Sequence, residues 1–367
     1  MKIVYVCSDK NIGGAGVYLL TLLSSGFLAN YDVEIFLPKD AVLRQKLENL
    51  GYRPVLIDGL EKSFSFRAIP VFLRKIRKAA PDVVHTHASL TARIITRLFC
   101  PKAKIVYTKH TFDEESCNLK KFLTRAASVF FADAVIAVSP AAANQLTQSG
   151  VLSSKIKLIY NGVKQPAALN EAQKAAVREK YGISGGAFVF SIIGRLSPEK
   201  GHGLLLKAAG FALKDAEKDQ TAKKMLFLIV GAGGLESYIR DTILENNLTN
   251  VMMLGFTDDV GEILNITDVQ INASYREATS LSLLEGLSLA VPAVVSDAGG
   301  NPCVIKDGQN GLVFACADAR ALYEAALKIA GDGALREKLS QGARESYKAS
   351  FRAEDMCEKT VRLYNNL

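Results

Sequence analysis

The chain has 367 residues, 49% of them hydrophobic and 22% charged, with 28 Gly and 10 Pro that follow no repeat. Such a composition excludes a disordered or fibrous chain, and the length suits two domains of roughly 100–200 residues each. The net charge of +8 is uneven: residues 1–165 carry 23 Lys and Arg against 12 Asp and Glu, the remainder 22 against 25, so an anionic partner is expected for the first part alone.

Residues 3–7 form a strand-like run at the very start of the sequence, with no basic leader, longer apolar region or cleavage site before it. No run reaches the roughly 18–20 apolar residues that cross a bilayer, and a cytoplasmic protein is expected. Six cysteines (Cys7, Cys100, Cys117, Cys303, Cys316, Cys357) lack metal-type spacing and read as reduced packing residues. Runs at 3–7, 33–37, 54–57, 83–85, 105–108 and 134–138 read as buried strands, with helical patterns such as 17–28 and 69–80 between them. That alternation implies parallel strands with right-handed crossovers. After a polar, helix-prone stretch to Tyr181 a second set begins at 188–193, 225–230, 251–254, 269–271 and 293–295. The boundary is placed near 162–182, with a cleft between two nucleotide-binding-type domains. A final helical segment, 334–366, is slack near 349–352 and could cross back to the first domain.

In parallel sheets ligands bind beyond the carboxyl ends of the strands, so the residues just after each run carry the argument. After the first run, Gly13-Gly14-Ala15-Gly16 opens a helix, either as a phosphate-binding turn or as a tight turn only. The same choice holds for Gly231-Ala232-Gly233-Gly234. Gly194-Arg195-Leu196-Ser197-Pro198-Glu199-Lys200-Gly201 puts two cations about a Pro turn, where a guanidinium fork and an ammonium can both reach a diphosphate. The alternative is a solvated loop.

Glu285 is the sole charged residue between Ala278 and Ser296, with Leu281, Ser282, Ser288 and Leu289 as its helical neighbours. A carboxylate in so apolar a helix costs several kcal/mol if buried unsatisfied, so a partner from elsewhere is expected. Ribose hydroxyls would serve, as would a distant Arg or a backbone group. Glu277 precedes this helix, Thr279 or Ser280 reads as its N-cap, and the N–H groups near Ser280–Ser282 are left for an anion. His85, His87 and His110 follow strands of the first domain; no acidic or Cys cluster completes a metal site, and hydrogen-bonding histidines are expected. His202 reads as an ordinary loop residue.

Together these residues resemble the retaining, nucleotide-sugar-dependent family-4 glycosyltransferases of the GT-B fold, over essentially the whole chain. Glu277 and Glu285 fit the E-x7-E signature, Arg195 and Lys200 the G-R-L-x(3)-K-G motif, and Asp297-Ala298-Gly299-Gly300-Asn301-Pro302 the Gly-Gly loop. The resemblance implies an α/β protein of two doubly wound Rossmann-like domains facing across a cleft: residues 1–165 for the acceptor, 166–345 for the donor, and a helix at 346–367 returning to the first. It implies that Arg195 and Lys200 neutralise the donor diphosphate, Glu285 binds the ribose, and the backbone of Ser280, Leu281 and Ser282 holds the distal phosphate. Glu277 would contact the transferred sugar, Gly14 the diphosphate, His110 the sugar or reacting centre, and Phe256 with its neighbours the base. Cys303 stands where the family often has Glu, and Lys164 where it often has Asp.

The expected activity is retaining, metal-independent and cofactor-free transfer from a nucleoside-diphosphate sugar, a UDP-sugar first, to a hydroxyl of a glycan or lipid-linked acceptor, in bacterial surface polysaccharide or glycolipid synthesis. A non-hydrolysing sugar-nucleotide epimerase and a silent partner subunit are the alternatives. No nucleic-acid partner is expected, because no aromatic strand or helix-turn-helix signal accompanies the charge. Arg67, Arg74, Lys75, Arg77 and Lys78 around the apolar 69–80 segment, with Lys120, Lys121 and Arg125 around Phe122, read either as a peripheral contact with an anionic membrane or as an ordinary helix with a solvated basic face.

Overall fold

The computed structural model describes residues 1–110 and 130–367; Cys117, Lys120, Lys121, Phe122 and Arg125 lie outside the described residues. These fall into two compact units, one of Met1–Gly162 with Ala353–Leu367 and one of Val163–Arg352. The first holds β1 (Lys2–Cys7), β2 (Asp32–Pro38), β3 (Val55–Ile57), β4 (Val83–His87), β5 (Lys104–Lys109), β6 (Ala134–Ala137) and β7 (Ile156–Leu158). They form one parallel sheet in the order β3-β2-β1-β4-β5-β6-β7. Residues Ile3, Val4, Tyr5, Val6 and Cys7 are all fully buried, which is why β1 reads as a continuous apolar run: helices cover both faces of such a sheet.

The second unit repeats the plan with β8 (Phe188–Ile193), β9 (Met225–Val230), β10 (Val251–Gly255), β11 (Val269–Asn272), β12 (Ala293–Ser296) and β13 (Gly311–Phe314), in the order β10-β9-β8-β11-β12-β13. Both units are doubly wound α/β. Strand order reverses between β1 and β4 in one and between β8 and β11 in the other, and a crevice at that point is where open sheets bind ligands.

Two local departures from the sequence reading have physical causes. The first helix, expected over 17–28, is Gly14–Leu23; Ser24-Ser25-Gly26 stops it, with Gly26 at φ +81°. The sequence reading lacks β7 and β13: two of the three residues of β7 are exposed, and β13 holds one β-branched residue in four, so neither shows the buried β-branched run of the other strands. The helix Ile69–Ala79 turns Phe72, Ile76 and Ala79 into the sheet, so its apolar side is spent on the core. Arg74, Arg77 and Lys78 stay in solvent, with Phe66, 79% exposed, in the loop before it.

The C-terminal helix pair, Gly333–Ser350 and Ala353–Asn365, breaks at Phe351 and Arg352, where the pattern goes slack. The Val163 N–H donates to Phe351 O at 3.0 Å and the Tyr347 hydroxyl to Val163 O at 3.0 Å. Beyond the break, Met356, Cys357, Val361 and Tyr364 enter the core that β1 shares with the first helix. The described cysteines are all unbridged. Among the described residues no helix is long and apolar enough to cross a membrane.

Candidate functional site

In the second unit the candidate residues leave the carboxyl ends of adjacent strands. Arg195 and Lys200 follow β8, Glu277 follows β11, and the helix Leu281–Ser288 begins after the same loop. Gly201 brings the first of these loops onto the second: it sits at φ +73°, where a Cβ would collide with the Ala273 carbonyl. The Tyr275 N–H donates to Glu199 O at 2.8 Å. From the other side the Gly300 N–H donates to Glu277 O at 2.7 Å, and a Cβ on Gly300 would strike the Ala278 carbonyl oxygen. The loop bearing Glu277 is thus clamped between two glycine-bearing loops.

That clamp sets Lys200 Nζ 2.5 Å from Glu277 Oε2, with Glu277 only 9% exposed. Ser274 Oγ donates to the same carboxylate oxygen at 3.3 Å, Ser296 Oγ donates to Ser274 O at 2.5 Å, and Asn301 Nδ2 to Ser296 Oγ at 3.1 Å. Arg195 is exposed. Its loop rests on the turn 231–234 through Leu196 N–H to Ala232 O and Leu235 N–H to Leu196 O, both 3.0 Å. The second glycine cluster therefore works as a prop for the loop of the two cations.

Ser280 is the N-cap of the helix Leu281–Ser288, its hydroxyl accepting from Leu283 N–H. Ser282 Oγ, 3.1 Å from Ser280 Oγ, donates to Ile193 O at 3.0 Å and fixes the helix start against the end of β8. Helix geometry leaves the first N–H groups without internal acceptors, so this end attracts an anion. A small pocket opens there, lined by Gly194, Lys200, His202, Asn272, Ser280 and Ser282 among others. It lies at the crossover between β8 and β11.

Glu285 stands one turn past Ser282, partly buried, and its carboxylate makes no hydrogen bond or ion pair with any described residue. Burial alone raises its pKa to about 7. The partner anticipated from the sequence is not an internal cation. Phe256, just past β10, is 70% exposed. His202 departs from its reading as a loop residue: it is the first residue of the helix His202–Asp215, 1% exposed, and lines the cavity. Burial and nearby Lys200 lower its pKa to about 4. A lone His between glycines carried no periodic signal.

In the first unit the helix Gly14–Leu23 starts from Gly13 without a side-chain cap, and Gly14 is exposed with open space where a Cβ would stand. Helix geometry leaves its first amides without acceptors inside the helix. His85, His87 and His110 come together as a stack, with ring centroids 4.5 Å apart for His85 and His87 and 5.0 Å for His87 and His110. His87 Nδ1 lies 2.8 Å from His110 Nε2. His85 is pinned by Tyr364 and Thr108 hydroxyls, each at 2.6 Å. Burial lowers all three pKa values, His85 to about 3 and His110 to about 4, so the stack is neutral. Among the described residues no group of three His, Cys, Asp or Glu could hold a metal ion. Cys303 is half-buried in the short helix after Gly300.

Comparison with known proteins bears on both units. Residues 173–346 match the model of "Glycosyl transferases group 1", and residues 12–165 that of "Glycosyltransferase Family 4". The chain is 25% identical to the Escherichia coli UDP-Gal:alpha-D-GlcNAc-diphosphoundecaprenol alpha-1,3-galactosyltransferase, over 95% of this chain and 93% of that one. It is 26% identical to the alpha-monoglucosyldiacylglycerol synthase of Acholeplasma laidlawii, over 82% and 77% respectively. The structure of Anabaena HepE in complex with UDP superposes with a TM-score of 0.86 at 20% identity, covering both chains fully.

Proposed function

Because the chain belongs to the family-4 glycosyltransferases of the GT-B fold, we propose that it moves a sugar, with retention, from a UDP-sugar to a hydroxyl of a glycan or lipid-linked acceptor in surface-polysaccharide or glycolipid synthesis. The observation that carries this is Glu285: a carboxylate raised by burial, without a protein partner, one turn from a helix start that opens on Lys200. Ribose hydroxyls satisfy such a group, and the diphosphate then falls to the cations and amides. UDP is the favoured donor nucleotide because the E. coli relative is named for UDP-Gal and the HepE structure holds UDP. The same relative is named for a diphosphoundecaprenol acceptor, and the Acholeplasma enzyme for a diacylglycerol product. The solvated basic face of Ile69–Ala79 beside Phe66 supports an acceptor presented at an anionic membrane.

In this reading the anomeric C–O bond to the diphosphate breaks, and the acceptor oxygen bonds to the same carbon on the same face. The acceptor proton passes to a leaving phosphate oxygen. Arg195, Lys200 and the amides of Ser280, Leu281 and Ser282 stabilise the growing negative charge, so the reaction needs neither metal nor cofactor. Glu277 touches the sugar while holding Lys200, Gly14 offers an amide to the diphosphate, and His110 reaches the sugar or reacting centre. Phe256 lies against the base.

The test is a thermal-shift series with UDP-, GDP- and ADP-sugars, with and without EDTA, on wild type, Glu285→Ala and Arg195→Ala. Stabilisation by one UDP-sugar that survives EDTA and vanishes in both variants is expected. Equal shifts in all three proteins would remove the assigned site, and conversion of the donor to an epimer without acceptor would replace transfer by epimerisation.

A further inference from the structure

We propose that Asn301 and Ser274 are positioning residues for Glu277: the Asn301 amide grips Ser274 through the partners of its N–H and its carbonyl, and the Ser274 hydroxyl holds the carboxylate so that Oε2 stays on Lys200 while Oε1 is left for the donor sugar. The role rests on the proposed sugar contact of Glu277; the hold on the carboxylate does not.

Four buried residues close a circuit of hydrogen bonds behind that carboxylate. Asn272 ends β11, Ser296 ends β12, Ser274 lies two residues past β11, and Asn301 opens the short helix after Gly300. Each is at most 8% exposed. The Ser274 N–H donates to Asn272 Oδ1 at 3.2 Å, and Ser274 O accepts from Ser296 Oγ at 2.5 Å. Asn301 Nδ2 donates to both of those partners, to Ser296 Oγ at 3.1 Å and to Asn272 Oδ1 at 3.4 Å.

Chemistry fixes every donor in the circuit. A carbonyl oxygen only accepts, so the one Ser296 proton is spent on Ser274 O, and Ser296 Oγ must accept from Asn301. A backbone N–H only donates, so the oxygen of Asn272 is the atom that faces Ser274. Turning the Asn301 amide over would set its oxygen against two oxygens with no proton between them. The orientation it holds leaves Asn301 Oδ1 without a partner in the interior, which is the smaller cost.

Ser274 is thereby tied at its N–H and its carbonyl. Its hydroxyl donates to Glu277 Oε2 at 3.3 Å, the atom that Lys200 Nζ reaches at 2.5 Å. Glu277 Oε1 makes no hydrogen bond or ion pair with any described residue and reaches solvent. With Oε2 held from two loops the carboxylate cannot turn freely, and each incoming sugar meets the same oxygen in the same place.

Calorimetric affinities of the full chain for UDP, UDP-glucose and UDP-galactose test the role. Ser274→Ala removes only the hydroxyl and should weaken the tighter of the two UDP-sugars about tenfold, with UDP alone within about twofold of wild type. In a Glu277→Ala background the same change should cost nothing further, because the group it positions is gone. Asn301→Leu should match Ser274→Ala, and in ligand-free crystals of either variant the Glu277 carboxylate should leave its wild-type place; if Asn301→Leu does not fold, Ser274→Ala carries both comparisons. Equal losses for UDP and the UDP-sugar, an undiminished effect in the Glu277→Ala background, or an unmoved carboxylate in the crystals overturns the proposal. Wild-type affinity for both UDP-sugars in Glu277→Ala overturns the sugar contact and with it the role, and the crystals then decide the hold on the carboxylate by themselves.

Discussion

Glu285 couples stability to binding in opposite senses. Its folded-state pKa of about 7 lies above the ordinary carboxyl value of 4.5, so between those limits the folded protein holds a proton the unfolded chain has lost. Ligand-free stability therefore falls as pH rises from about 4.5 to 7. Glu285→Leu should raise the melting temperature at pH 8, by roughly 2–4 °C per kcal/mol recovered, and flatten this dependence while abolishing UDP-sugar binding. Wild-type affinity for a UDP-sugar should strengthen as pH rises through 7, with proton release on binding, measurable by calorimetry in buffers of different ionisation enthalpy; Glu285→Gln should show neither. The isolation of Glu285 and the capping role of Ser280 were visible in the sequence, because both depend on neighbours within one helix. The burial of His202, the Lys200–Glu277 pair and the contact between His87 and His110 were not, because they depend on segments distant in the sequence coming together.

At the level of elements, the site is an assembly of loops held by close backbone approach. Gly300→Ala should push the Glu277 loop outward, costing about 1–3 kcal/mol and at least about tenfold in donor affinity, as denaturant melts and calorimetry would show. Gly234→Ala, where a Cβ meets nothing within 4 Å, should leave both near wild type. Gly300 and Gly234 look alike in the sequence, and the collision that separates them involves a carbonyl more than twenty residues away. Long strands such as β1, β8 and β9 announce themselves through β-branched runs, and so did the break at Phe351 and Arg352. The end of the first helix was misjudged because Leu28 continues the apolar pattern past a turn that Gly26 makes irreversible.

For the whole chain, the last helix belongs to the first unit although the sequence reaches it only after completing the second. Stopping the chain after Arg352 would strip Met356, Cys357, Val361 and Tyr364 from the core beside β1. In a calorimetric scan the loss should fall mainly on the transition that UDP-sugar stabilises less, the one of the first unit. The overall charge of +8 invites the picture of a bare cationic mouth that any anion would fill, but Lys200 is already neutralised by Glu277. Because Lys200 is shared with Glu277, a small ion such as orthophosphate or sulfate finds less free positive charge there than the net charge suggests. On the proposed reading, the pocket thereby favours a molecule that also carries a pentose for Glu285 over a bare phosphate.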